Sequence, residues 1–189
     1  MKLVRREEFK AKNLIMPLIL IITVINPIYE SLEFKYEFLF MLSHYLLVLS
    51  GLLIGYKILR GNSYYSVLGI IPIIFWHMPL FYNLAGAYIA YRILDNITLL
   101  LGGILIGSYI PLMSTAIKLG LLVLWMAADS VLSVILIVEW PNYSNSIYPF
   151  SPWPLSQEVL TGIVMFFTMT VLFIIALVKI LKSSTFKLL

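Results

Sequence analysis

The sequence predicts an all-α, polytopic membrane bundle of six transmembrane helices with both termini in the cytoplasm. Three observations predict it. The first is composition. Of 189 residues, 61% are hydrophobic and 12% charged, and mean hydropathy is +0.99. A soluble domain is about half apolar and about a quarter charged, and a globule of this size cannot hide so much apolar surface. A water-soluble enzyme and a disordered chain are both excluded on these numbers. The second observation is that the apolar residues fall into six stretches, each near the length of about 20 residues that crosses a bilayer as a helix. The third is that Lys and Arg alternate between sides as those stretches are counted off.

The first stretch, about residues 13–28, is short and carries Pro17 and Pro27. Its basic flank is like that of a signal peptide. No small-residue cleavage pattern follows, so it reads as an uncleaved helix. The second and third cover about residues 36–56 and 64–82, the fourth about 91–110, and the fifth about 114–138. The sixth covers about 158–181. They form a single domain, residues 1–189. The longest connection, about 139–157, holds Trp140, Tyr143, Tyr148, Phe150 and Trp153 among four prolines. Proline forbids a continuing helix, and the rings suit the lipid–water boundary. The segment therefore reads as an outer loop that lies on the membrane or caps the bundle.

With the N-terminus inside, Lys2, Arg5, Arg6, Lys10, Lys12, Lys57, Arg60, Lys118, Lys179, Lys182 and Lys187 fall on the cytoplasmic side, and only Lys35 and Arg92 outside. Glu30, Glu33, Glu37, Asp95, Glu139 and Glu158 cluster at the outer side. The positive charge thus serves topology and contact with anionic lipid of the plasma membrane, not nucleic acid.

Gly51 and Gly55 on the second span, and Gly103 and Gly107 on the fourth, are small residues spaced by four. That spacing lets helices approach closely. Both pairs fall in the cytoplasmic half. The outer half holds the ionisable groups. His44, His77, Asp95 and Asp129 lie roughly 6 to 13 Å below the outer surface at the rise of a helix. Such groups face the bundle interior and pair. Glu37, Met41 and His44 share one helical face. Three arrangements follow: hydrogen bonds that pin helices together, a haem b held between His44 and His77, or a copper ion on His44 and His77. Met41, Asp95 and Asp129 would support the copper ion, since imidazole and thioether both suit copper. There is no cysteine, which removes thiolate sites. Phosphate loops, His-Glu-x-x-His and nucleophile elbows are missing, so no enzymatic activity is expected.

Trp76-His77-Met78-Pro79-Leu80-Phe81-Tyr82-Asn83, followed by Leu84-Ala85, resembles the Trp-His-Leu-Pro…Leu-Tyr motif of the CtaG family. Ser43-His44-Tyr45-Leu46-Leu47 resembles that family's His-Met-Leu-Leu helix. The chain as a whole looks like a shortened archaeal relative of the group. Two positions depart from the pattern. Phe40 stands where the family has a second histidine, and Arg92-Ile93-Leu94-Asp95-Asn96 stands where it has a His-x-x-Glu-His-like run. The resemblance implies a non-catalytic assembly factor or accessory subunit of a respiratory oxidase or related copper enzyme, with oxidase subunits as partners and copper as the metal. A haem-b electron-transfer subunit and a purely structural membrane subunit are the alternatives.

Overall fold

The structure, a computed structural model, describes residues 12–185; Lys2, Arg5, Arg6, Lys10 and Lys187 of the charge pattern lie outside the described residues. Among those residues the chain is all-helical, with no strand. It forms α1 (Lys12–Ile25), α2 (Pro27–Glu33), α3 (Glu37–Ile58), α4 (Ser63–Trp76), α5 (Pro79–Ala87), α6 (Ile89–Tyr109), α7 (Thr115–Ile137) and α8 (Glu158–Thr185). Of these, α3, α6, α7 and α8 are each long and apolar enough to cross a membrane. The count rises to six if each of two bent pairs, α1 with α2 and α4 with α5, is one span.

The two bends correct the first and third stretches, which the hydropathy pattern runs on as continuous helices. Asn26 leaves the helix in an extended conformation and its side chain accepts from the Tyr29 backbone N–H at 2.9 Å, with Pro27 in the first turn of α2. An amide cap followed by proline starts a new helix, and α2 turns by 57°. Pro79 does the same at the head of α5. The residue before a proline is pushed out of helical geometry, so α4 stops at Trp76, His77 caps it, and α5 turns by 74°. His77 therefore sits on a corner and not within a helix.

At the centre, α3 and α6 lie backbone to backbone. A Cβ on Gly51 would stand 2.9 Å from the Gly103 Cα and 2.8 Å from the Ile104 N. One on Gly55 would stand 2.8 Å from the Ser108 N, and one on Gly107 2.9 Å from the Leu52 Cα. The two glycine pairs face each other, as small residues must for helices to close without side chains between them. Against the other side of α6, Gly102 faces Gly69 of α4, where an added Cβ would be 2.6 Å from the Gly69 carbonyl. α1 packs on α3, and α8 joins α3 to α7. Ser50 of α3 donates to the Pro17 carbonyl of α1 at 2.9 Å.

The connection after α7 folds back over the bundle. Trp153 is fully buried. Its indole N–H donates to the Glu33 carbonyl at 3.1 Å, and its ring lies 4.9 Å from Phe40 and 5.4 Å from Tyr82. Asn83 donates to the Asn142 carbonyl at 3.2 Å. The loop is thus a cap held by a tryptophan plug. Glu139, just past α7, has φ 56, the left-handed conformation that glycine usually supplies at a helix end. We expect Glu139→Gly to melt no lower than the parent. Glu139→Val should melt lower by the equivalent of about 1–2 kcal/mol, because a Cβ, and a branched one most of all, is strained there. A thermal melt of the purified protein reads both.

Candidate functional site

The capped end of the bundle collects the buried polar groups. It is where α3, α6 and α8 begin, where α2, α4 and α7 end, and where the two corners lie. Glu33, Glu37, His44, Arg92, Asp95 and Glu158 are all buried there. At this depth each must find a partner or be costly.

His44 and Asp95 form the inner pair. The imidazole Nε2 donates to Asp95 Oδ2 at 2.7 Å, tying α3 to α6. His44 Nδ1 and Asp95 Oδ1 are buried with no hydrogen-bond partner. His77, on the corner between α4 and α5, meets His44 edge to face with ring centroids 5.3 Å apart. Its Nδ1 lies 2.6 Å from the Ile73 carbonyl. A carbonyl only accepts, so Nδ1 carries the proton and Nε2 is left with its lone pair in the neutral ring. His44 holds Asp95 through one ring nitrogen and turns the other, Nδ1, into the core. The two imidazoles thus stand side by side.

The corner is braced from three sides. Trp76 donates through its indole N–H to Thr98 Oγ1 at 2.7 Å, fixing α4 on α6. The Tyr143 hydroxyl of the cap donates to the His77 carbonyl at 2.9 Å. Burial, and the negative charge of Glu158 nearby, push the Tyr143 phenol up to about 12, so it keeps its proton at any ordinary pH. Phe40 stacks edge-on against His44 at 4.5 Å, and Tyr82 lies 6.3 Å away.

Arg92, one turn before Asp95 on α6, is fully buried. It pairs with Glu33 at 3.5 Å, lies on the Phe34 ring at 3.7 Å, and donates to the Gly86 carbonyl at 2.8 Å and the Ala85 carbonyl at 3.2 Å. One side chain thereby holds α2, α5 and α6 together. In the sequence Arg92 registers only as an outer cation. The available signal was its spacing of three from Asp95, which puts both groups on one helical face.

Of the five residues proposed as a metal set, the structure brings His44, His77 and Asp95 together. Asp129 stands apart: its carboxylate accepts from the Tyr45 hydroxyl at 2.6 Å, a link between α7 and α3. Met41 is buried in the apolar core. Among the described residues no group of three or more His, Asp or Glu side chains is placed to hold a metal ion. The two imidazoles remain as candidates, and imidazole suits copper, zinc, iron and nickel alike. A haem between the rings would have to displace Phe40 and Tyr82, which fill the space beside His44.

Residues 15–183 match the model of a family described as "Protein of unknown function (DUF1404)". No curated protein and no solved structure matches the chain.

Proposed function

The chain belongs to the DUF1404 family, whose description assigns no function, and on that premise we propose that it is a non-catalytic membrane protein serving a respiratory oxidase or related copper enzyme as assembly factor or accessory subunit. Six spans place both termini in the cytoplasm of a cell whose plasma membrane holds the bundle, and the capped end faces outward. The charge distribution supports this orientation: Lys12, Lys57, Arg60, Lys118, Lys179 and Lys182 lie toward the uncapped end, and the acids at the capped one. Basic residues stay on the cytoplasmic side of a membrane.

The observation that carries the reading is the meeting of His44 and His77 5.3 Å apart, each with one ring nitrogen held by a hydrogen bond that orients it. The residues that resemble the CtaG motif supply the corner on which His77 sits. His44 and His77 would hold Cu(I) between them, with Asp95 orienting His44 as carboxylates orient metal-binding imidazoles. Copper would supply a soft ion for insertion into a partner enzyme.

Copper binding and partner capture test the two halves of the reading. Titrated with Cu(I) against a competing chelator, the detergent-purified protein is expected to take up stoichiometric metal with a nitrogen-only coordination spectrum. His44→Ala and His77→Ala are each expected to weaken binding at least tenfold, the usual cost of losing one ligand or its support. Equal trace uptake by parent and variants would end the copper reading. A tagged protein that comes out of its native membranes free of oxidase subunits would end the partner reading. Loss of copper alone would leave a purely structural subunit, a role favoured by the 2.7 Å His44–Asp95 link.

A further inference from the structure

Asp129 is the acid that the imidazole site leaves out. It sits well inside α7, which runs on to Ile137, so it lies about 12 Å along the axis from the capped end. α7 packs along α8 and barely touches α3. Tyr45 of α3 reaches across that gap. Its ring lies 6.4 Å from Trp125, and its hydroxyl donates to Asp129 Oδ2 at 2.6 Å. Among the described residues this is the one hydrogen bond the carboxyl makes, and no cation pairs with it. α8 carries no Asp, Glu, His, Lys or Arg between Glu158 and Lys179. On α3 the nearest other titratable group, His44, is committed to Asp95. Tyr45 is therefore the titratable group that faces Asp129 from the helices around it. Accessibility separates this acid from the rest of the buried ones. Glu33, Glu37, Asp95 and Glu158 are at most 1% exposed, whereas Asp129 is 8% exposed. Its neighbours Ala127, Ala128 and Val131 are exposed on a helix that buries little of its surface.

We propose that Asp129 is a proton-binding site within the bilayer, reached from the lipid side between α3 and α7. A carboxylate with no cation beside it is costly at this depth, and a single hydroxyl bond does not offset the loss of water. The group therefore carries a proton. The Tyr45 bond persists in the neutral acid, with Oδ2 accepting as the carbonyl oxygen and Oδ1 holding the proton. Acids kept inside spans without an ion pair are the groups that take up and pass on protons in membrane proteins. This inference is independent of the copper reading, because both imidazoles are engaged elsewhere.

The test is labelling of the full chain in phosphatidylcholine vesicles with dicyclohexylcarbodiimide, which partitions into lipid, and with a water-soluble cationic carbodiimide. The neutral acid is the reactive form. Its proton passes to a carbodiimide nitrogen, a carboxyl oxygen bonds to the central carbon, and an oxygen-to-nitrogen acyl shift leaves a stable acylurea that retains every atom of the reagent. Peptide mapping by mass spectrometry is expected to place one adduct at Asp129 with the lipid-soluble reagent and none there with the soluble one. The rate should fall as pH rises, approaching about tenfold per pH unit once the acid ionises. Asp129→Asn is expected to lose the adduct and Asp129→Glu to keep it, with a melt of each variant to confirm folding. Should either variant fail to fold, the map and pH profile of the parent decide alone. An unlabelled parent, adducts confined to other acids, equal labelling of Asp129 by the soluble reagent, or a rate unchanged across pH would overturn the proposal.

Discussion

Gly103→Leu is expected to abolish the folded bundle, whereas Gly120→Leu leaves it intact. Gly103 touches α3 through backbone alone: a Cβ there would stand 3.1 Å from both the Gly51 Cα and the Leu52 N. No flexible side chain is present to give way, so α3 and α6 would have to separate along their shared length. Overpacking a core by a few methylenes costs about 1–3 kcal/mol, and an isobutyl group forced against backbone exceeds that range. The loss also propagates, since His44–Asp95 and the Arg92 contacts depend on the α3–α6 distance. Gly120 has nothing within 4 Å of an added Cβ, so the same change there reports on hydropathy and expression alone. The measurement is the yield of monodisperse protein after detergent extraction, with a melt where any survives. Equal yield and Tm for the two variants would refute the backbone contact.

Arg92→Leu is expected to be the costliest polar change, at about 3–5 kcal/mol, because it strands a buried carboxylate. Glu33 would be left buried without its counter-ion, and the Ala85 and Gly86 carbonyls would lose their donor. In a chain of this size the loss corresponds to a fall in Tm of roughly 6–20 °C. The double variant Arg92→Leu with Glu33→Leu is expected to recover a large part of that loss, since replacing both members of a buried pair is often close to neutral. A double-mutant cycle on Tm measures the coupling. Independent, additive effects would show that the guanidinium and the carboxylate do not depend on each other.

The helices were legible where a physical rule acts on sequence-local information. A long apolar run such as 37–58 or 115–137 has one way to satisfy its backbone in lipid, and its ends fall where charged or capping residues allow. The mutual fit of Gly51 and Gly55 with Gly103 and Gly107 was legible in kind, because small residues at a spacing of four serve close approach. That they meet each other was not, since spacing does not name a partner. The breaks at Asn26 and His77 were written in Pro27 and Pro79, but continuous hydropathy across them hides a bend.

The polar site was legible by depth and not by azimuth. His44, His77 and Asp95 sit at one level and do converge. Asp129 sits at a similar level and turns to Tyr45 instead, because rotation about a helix axis, unlike depth, depends on which helices pack. Trp153 illustrates what sequence withholds altogether. An aromatic loop residue suits the bilayer surface and a buried plug equally well, and only the tertiary fold chooses the plug.

The placement of Arg92 and Asp95 in the opening turns of α6 carries a cost during biogenesis. Each charged residue near the middle of a nascent segment opposes partition from the translocon by about 3 kcal/mol; nearer a segment's end the penalty falls, yet α6 still enters lipid as a handicapped segment. In the folded bundle that cost is offset on α3, whose His44 donates to Asp95, so the segment with the most buried charge is also the one most dependent on an earlier helix for its partner.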